Sequence, residues 1–213
     1  KIDSIVTILG TGFMAPPDKR IYIYFDSWKQ EEVEGGQEFV EASTNGTFST
    51  TFTVEQKPVG TKIVSAGHGG TNAFVFATNI FVVMARITDL NPPSGIVGTV
   101  VTVKGDGFGT DSTIRIDFGT QETITTATTE NTDGTFSTTF LINTQVYGSQ
   151  VITVRQPGLD CLTTDTIVFF VMPKVIQVVP TFAQVGNPIT VIGNGFAVGS
   201  VTIQFGTHLS ITT

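Results

Sequence analysis

Apolar and polar residues alternate along much of the chain in short runs, and this period of two predicts β-strands rather than helices. The clearest runs lie in the middle of the chain, where each is bounded by Gly, Asp, Asn or Pro, the usual residues of turns. They predict strands at 87–90, 99–104, 113–118, 123–130, 135–142, 149–155 and 165–171. Strands this short and this closely spaced predict a two-sheet sandwich of about 100 residues.

The chain repeats itself at a spacing of 88 residues. The segment GTFSTTF occurs at 46–52 and again at 134–140, Gly60 corresponds to Gly148, and a Gly-x-Gly-Phe element at 105–108 recurs at 193–196. Another Gly-x-Gly-Phe copy lies at 10–13, where the first repeat carries about seven extra residues, an insert predicted within 30–38. A fixed period of this length indicates tandem modules.

These landmarks divide the chain into a first module at 1–86, a middle module at 87–174 and a third module at 175–213. The joints contain no Gly- or Ser-rich linker, so we expect stiff joints and a rod. By alignment, the first module lacks the first strand, the middle module is complete and the third is truncated. Because the third module begins with such a strand, at 175–179, we also expect that strand exchange between molecules could complete the first module.

A pattern of prolines, glycines and a phenylalanine opens the middle module. It consists of NPPSG at 91–95, GTVVTV at 98–103, Gly105-x-Gly107-Phe108 and IDFG at 116–119. This pattern resembles the opening of the IPT/TIG immunoglobulin-like domain, P-x-x-G followed by G-x-x-V-T-I-x-G-x-x-F. The third module repeats it with Pro180, Gly186, Val191, Gly193 and Phe196. The resemblance implies an extracellular sandwich of the kind found in adhesins, surface-layer proteins, receptors and polysaccharide-degrading enzymes.

The composition agrees with an all-β fold. Thr, Val and Ile far outnumber Ala and Leu, which is the balance that favours strands over helices. Seventeen Phe supply apolar cores, and 23 Gly with 9 Pro supply turns between many short strands. We therefore predict tandem immunoglobulin-like β-sandwiches with an 88-residue repeat, arranged as a rod.

Charge and hydropathy exclude two classes of partner. The net charge is −7 and only 14% of the residues are charged, so the chain would repel a nucleic-acid backbone, and it lacks the basic loops with which DNA-binding IPT/TIG relatives grip DNA. No apolar stretch approaches the roughly 18 residues of a membrane-spanning helix. A polar surface with few charges suits an extracellular protein.

The sequence predicts neither an enzyme nor a cofactor site. The two histidines, His68 and His208, lie in different modules, and no serine occupies a Gly-x-Ser-x-Gly elbow. Cys161 is the single cysteine, so it cannot form an intrachain disulfide, and it has no identifiable base beside it. The Gly-x-Gly-Phe element precedes a strand, whereas a phosphate-binding glycine loop precedes a helix.

Two acidic turns of the middle module could supply oxygen ligands to Ca²⁺. Asp106 and Asp111 flank a glycine-rich turn, and Glu130 and Asp133 lie in the turn before the second GTFSTTF segment. The alternative is that these residues only form turns, since Asp and Asn are common there.

An aromatic cluster in the first module is a candidate contact surface. In the strand at 21–25 the period of two places Tyr22 and Tyr24 outward, with Trp28 just beyond. Such a cluster suits a neighbouring subunit or a sugar. The alternative is that the insert covers these rings.

The function we predict is a structural cell-surface protein that assembles with like subunits into a surface-layer lattice. The preference rests on a resemblance to Thr- and Val-rich bacterial surface-layer chains, in which threonine runs such as 123–132 could carry O-glycans. The alternative is an adhesin, or the carbohydrate-binding accessory stalk of a secreted polysaccharide-degrading enzyme. In that case Tyr22, Tyr24 and Trp28 would contact a surface glycan.

Overall fold

The computed structural model describes residues 4–13, 20–26, 28–29, 38–68, 75–158 and 160–212. Within these ranges the regular elements are strands, apart from a 3₁₀ turn at Asp160–Thr163. The all-β prediction is therefore confirmed, and it follows from the alternation of β-branched and polar residues along the chain.

The first module contains two groups of paired strands. Its strands are β1 (Ile5–Gly10), β2 (Arg20–Phe25), β3 (Trp28–Lys29), β4 (Val40–Glu41), β5 (Phe48–Thr53), β6 (Gly60–His68) and β7 (Val75–Val83). Strands β1 and β5 pair antiparallel. The other sheet has the order β3-β2-β6-β7, and β4 pairs with β2 as well.

The middle module is a two-sheet sandwich. Its strands are β8 (Arg86–Asn91), β9 (Ser94–Gly95), β10 (Val100–Asp106), β11 (Thr113–Phe118), β12 (Gln121–Thr128), β13 (Phe136–Leu141), β14 (Gly148–Arg155) and β15 (Thr164–Val171). One sheet has the order β13-β10-β8, and the other β12-β11-β14-β15-β9. Each predicted strand has a counterpart within a few residues. Strand β9 was not predicted, because two residues show no alternation and their parallel pairing with β15 is long-range.

The third module begins in the same way as the middle one. Its strands are β16 (Lys174–Val179), β17 (Thr190–Asn194), β18 (Thr202–Phe205) and β19 (His208–Thr212). Strand β16 pairs with β17, and β18 with β19. All six residues of β16 are exposed.

A groove of about 300 Å³ lies between β1 and β7 of the first module. In the middle module the corresponding place, beside β15, is occupied by β8. Val101 and Val103 of the middle module are consequently fully buried, whereas their counterparts Val6 and Ile8 are only half-buried. Strand exchange into this groove stays a prediction.

Phenylalanine rings fill the centre of each sandwich. In the middle module the Phe118 ring contacts those of Phe140 and Phe169, with centroids 5.9 and 5.8 Å apart. In the first module the Phe25 ring contacts those of Phe52 and Phe81 in the same way, with centroids 5.4 and 5.9 Å apart. The contacts of Phe118 with Phe140 and of Phe25 with Phe52 join the two sheets, whereas Phe169 and Phe81 lie in the same sheet as their partners. Burial of this aromatic surface stabilises the packing of the sheets.

A glycine turn meets the Gly-x-Gly-Phe element at very short range. The backbone N–H of Phe108 donates to the Gly134 carbonyl, with an N···O distance of 3.2 Å. Gly134 has φ +70°, and a Cβ on it would lie 1.8 Å from the Phe108 carbonyl oxygen. Gly46 and Phe13 repeat the contact in the first module, with φ +75° and a Cβ distance of 2.3 Å. Only glycine has both the conformational freedom and the space for this turn.

We expect Gly134→Ala to destabilise the middle module by about 3 kcal/mol or more. The positive φ alone costs an L-residue about 1–2 kcal/mol, and the new methyl group would also push the Phe108 backbone away. The change in free energy of unfolding can be measured by chemical denaturation followed by circular dichroism.

The matched control is Gly148→Ala. Gly148 also has a positive φ, +108°, but a Cβ there meets no atom within 4 Å. We expect this control to cost only the conformational strain, about 1–2 kcal/mol. Equal losses for the two variants would show that the contact with Phe108 does not stabilise the module.

Candidate interaction surface

The two tyrosines lie on the outer face of the β3-β2-β6-β7 sheet. Their neighbours Ile21, Ile23 and Phe25 are fully buried, while Tyr22 and Tyr24 are half-buried. The inward and outward assignment from the period of two is confirmed. Whether this face binds anything stays a prediction.

Phe39 partly covers this face. Its ring centroid lies 6.2 Å from that of Tyr22, with the rings at 64°. The Arg20 guanidinium lies over the Phe39 ring, with its Cζ 4.8 Å from the ring centroid. Trp28 belongs to β3 and pairs through its backbone with Phe25, but its side chain lies outside the described residues. Phe39 lies just after the range predicted for the insert, most of which falls outside the described residues, so whether the insert covers the rings stays a prediction.

Asp106 forms a buried ion pair that the sequence did not reveal. Its Oδ1 lies 3.0 Å from Arg86 Nε, and its Oδ2 lies 3.0 Å from Arg86 Nη2. The Asp106 side chain is only 5% exposed. The two residues are cross-strand partners in β10 and β8. The guanidinium therefore donates hydrogen bonds to both carboxylate oxygens, which is a bidentate ion pair. This carboxylate is already neutralised by a protein cation.

The other three carboxylates predicted as Ca²⁺ ligands lie in turns. Asp133 Oδ1 accepts a hydrogen bond from the Thr135 backbone N–H at 3.0 Å, and the Glu130 N–H donates to the Thr135 carbonyl at 2.8 Å. Asp111 occupies a left-handed turn position with φ +47°. Across the described ranges, His, Cys, Asp and Glu form no group of three that could hold a metal. Backbone and amide oxygens also bind Ca²⁺, so calcium binding stays a prediction.

The same backbone contact recurs at both joints between modules. The Val59 N–H of the first module donates to the Phe108 carbonyl of the middle module at 3.3 Å. The Tyr147 N–H of the middle module donates to the Phe196 carbonyl of the third module, also at 3.3 Å. Donors and acceptors are each separated by 88 residues in the sequence. The Gly-x-Gly-Phe elements at 105–108 and 193–196 therefore contact the module before them in the same way.

Two apolar stripes lie on the outer faces of the larger sheets. We define the stripe of the first module as Ile63, Ile80, Val82 and Met84, and that of the middle module as Val151, Val168, Phe170 and Met172. All eight side chains are between 38 and 70% exposed. Ile63 faces Ile80 across β6 and β7, and Val151 faces Val168 across β14 and β15. The two stripes thus occupy equivalent places.

Sequence reasoning missed these stripes, although a signal was present. The run Ile80-Phe81-Val82-Val83-Met84-Ala85 is apolar at every position. In a strand with one face in the core and one in solvent, alternate positions should be polar. An uninterrupted apolar run therefore indicates that both faces of β7 carry apolar side chains.

The described residues include no helix that is long and apolar enough to cross a membrane.

We expect Arg86→Met to destabilise the middle module by about 3–5 kcal/mol, because it leaves the buried Asp106 carboxylate without its cation. Thermal or chemical unfolding of the variant measures this loss.

Lys104→Met is the control for that substitution. Lys104 and Asp89 form an exposed ion pair in the same sheet, with Nζ and Oδ2 3.6 Å apart. An exposed pair of this kind contributes less than about 1 kcal/mol. If Arg86→Met were as mild as Lys104→Met, the buried pair would have no special role in stability.

Comparison with known protein families gives a match within the middle module. Residues 85–169 match the IPT/TIG domain. The match spans β8 to most of β15, and so covers the two sheets described above. It confirms, for this module, the resemblance seen in the proline, glycine and phenylalanine pattern. The IPT/TIG domain is a non-catalytic immunoglobulin-like module.

No curated protein sequence matches the chain. Among solved structures, the D0-D1 domain of intimin is similar at 16% identity and a TM-score of 0.29, over 80% of this chain and 93% of that one. The BSP domain of a biofilm-associated protein is similar at 13% identity and a TM-score of 0.30, over 77% of this chain and 27% of that one. A Parabacteroides merdae β-glucuronidase is similar at 11% identity and a TM-score of 0.26, over 72% of this chain and 21% of that one.

The chain spans about a quarter of the biofilm-associated protein and about a fifth of the glucuronidase. With TM-scores this low, neither the fold nor the function rests on these three likenesses. The fold assignment rests on the paired sheets and on the IPT/TIG match.

Proposed function

We propose that this chain is part of a structural cell-surface protein whose immunoglobulin-like modules assemble with like subunits into a surface-layer lattice. The observation that carries the proposal is the recurrent joint, in which Val59 bonds Phe108 and Tyr147 bonds Phe196 at the same 3.3 Å. A lattice needs subunits of fixed shape, and a joint with a defined backbone contact restrains the modules on either side of it.

The surface chemistry supports an extracellular location. Only 14% of residues are charged, and Thr and Ser occupy many of the outward positions of the strands. Outward threonines at 123–132 are available to O-glycosylation enzymes, which would act on such runs. The modules in this proposal are 1–86, 87–174 and 175–213, and the partners are further copies of the same protein.

Calcium is part of the proposal as an ion that links subunits. Asp111, Glu130 and Asp133 lie in turns of the middle module, and ion binding between subunits would use such oxygen ligands. Asp106 contributes less, because Arg86 already occupies its carboxylate.

A second candidate function is an adhesin or the carbohydrate-binding accessory stalk of a secreted enzyme. It is favoured by the partial exposure of Tyr22 and Tyr24 beside Phe39 on one sheet face, since aromatic rings are suited to sugar contacts. Loss of glycan binding in Tyr22→Ala and Tyr24→Ala variants, measured on an array of cell-envelope glycans, would support this candidate over a lattice.

For the lattice, we expect negative-stain electron microscopy of the full-length parent protein to show extended two-dimensional sheets after dialysis into millimolar Ca²⁺. Removal of Ca²⁺ with a chelator should dissolve the sheets, because the carboxylates of neighbouring subunits would then repel one another.

Sheets that persist in chelator would support the lattice proposal and contradict the role of calcium in it. Isolated rods in both conditions would contradict the lattice, and binding to a glycan would then be the function to pursue.

A further inference from the structure

The apolar stripes are an exposed feature that recurs in two modules and that the described cores leave unused. In each module the stripe lies on two adjacent strands of the larger sheet, and its central cross-strand pair is apolar on both sides. Opposite side chains in such a pair are about 5 Å apart and form one continuous apolar surface. The same pair occurs as Ile63 with Ile80 and as Val151 with Val168.

Within β6, β7, β14 and β15 the outward positions beside each stripe carry no charge. The nearest charges on the flanking strands are paired: Asp26, whose backbone N–H donates to the Ile63 carbonyl, with Lys62, and Asp117 with Arg155. The outward neighbours in β6 and β7 are Thr61, Ser65 and Thr78, and those in β14 and β15 are Ser149, Thr153 and Thr166. Two copies of a chain with net charge −7 repel each other in most relative orientations. An apolar face whose bordering charges are already paired is therefore a face through which like copies can meet.

In the middle module an ion pair borders the stripe, because Asp117 lies opposite Thr153 across β11 and β14. Arg155 lies four residues along β14 from Val151, which is ~13 Å at the rise of a strand. Arg155 also pairs with Asp117, with Nη2 and Oδ2 3.1 Å apart. This ion pair limits the apolar surface on one side and would disfavour a partner that slides past the stripe.

The area of one stripe decides how many modules must take part. A patch of four half-exposed side chains offers on the order of a few hundred Å². A stable protein interface needs about 800 Å² from each partner. One stripe is therefore too small to hold a partner, whereas two or more stripes acting together reach the required area.

From these observations we propose that the stripes are a lateral docking surface for a second copy of this chain, with each stripe contacting a stripe of the partner. A partner must present apolar patches at the spacing and rotation that relate one module to the next. A second copy has the same spacing and rotation, because the same first joint, with its contact between Val59 and Phe108, lies between its two stripes. The inference rests on the proposed assembly of like subunits, and it names the surface that would make the contact.

The test is a variant with Ile63→Thr, Ile80→Thr, Val151→Thr and Val168→Thr. Threonine keeps the β-branched shape and the strand preference of Val and Ile, so the sandwich should be retained, as circular dichroism can verify. Sedimentation equilibrium of the 213-residue chain over a wide concentration range measures self-association. We expect the wild type to associate reversibly and the variant to show a dissociation constant raised about 100-fold or more.

The matched control changes four exposed apolar residues on the opposite sheets: Ile5→Thr, Leu9→Thr, Val100→Thr and Leu141→Thr. These side chains are between 57 and 76% exposed, as much as the stripe residues. We expect the control variant to associate within about threefold of the wild type. A wild type that stays monomeric at every concentration overturns the inference, and so does a control that weakens association as much as the stripe variant.

Two half-variants test whether the stripes act together. Ile63→Thr with Ile80→Thr removes one stripe, and Val151→Thr with Val168→Thr removes the other. Because a second contact within a complex is strengthened by the first, each half-variant should lose most of the association. Loss with only one half-variant would show a contact confined to one module, which contradicts the paired stripes.

Hydrogen–deuterium exchange of the unaltered chain gives an answer that needs no substitution. Comparison of dilute and concentrated samples should show concentration-dependent protection in β6, β7, β14 and β15, with no change in β1 and β10. Protection in β1 and β10 instead would place the contact on the other sheets and overturn the inference.

Electron microscopy of the stripe variant of the parent protein separates this inference from the lattice proposal. If sheets still form, the stripes are not the contact and the lattice proposal stands. If the wild-type chain pairs through its stripes but the parent forms no sheets, the docking surface stands and the lattice proposal fails.

Discussion

A close contact between a glycine turn and the backbone of a phenylalanine fixes the turns between the two sheets in the first and middle modules. Phe108 bonds Gly134 through its N–H, buries its ring against Phe136 at a centroid distance of 5.3 Å, and accepts a bond from Val59 of the preceding module. One residue therefore joins the two sheets, contributes to the core and forms the joint. The recurrence of glycine and phenylalanine in the sequence follows from this constraint, since no other residue than glycine fits the turn.

Strand positions and inward residues could be predicted because they depend on local alternation. The period of two that places Tyr22 and Tyr24 outward places Phe25 inward, and Phe25 is fully buried. The Arg86–Asp106 pair could not be found in this way, because it depends on the register between two strands. The exposure of Val151 depends likewise on what covers the outer face of a sheet, which alternation does not report.

The candidate surface was predicted in part. Tyr22 and Tyr24 face outward as expected, while the contact of Phe39 with Tyr22 requires the path of the chain after the insert. The apolar stripes were missed because apolar residues in a strand were taken as core residues. In an acidic chain with few charges, an exposed apolar pair such as Val151 and Val168 carries more information than a buried one, because it costs solubility without adding to the core.

The equivalence of the two joints has a geometric consequence. If each joint is built from the same backbone contact, every further module of the same kind adds the same rise and the same rotation, as successive steps do in a screw. Chains that gain or lose whole modules would then keep the same helical pitch from module to module. Length could vary between such proteins during evolution while the angle at which neighbouring molecules cross stays unchanged.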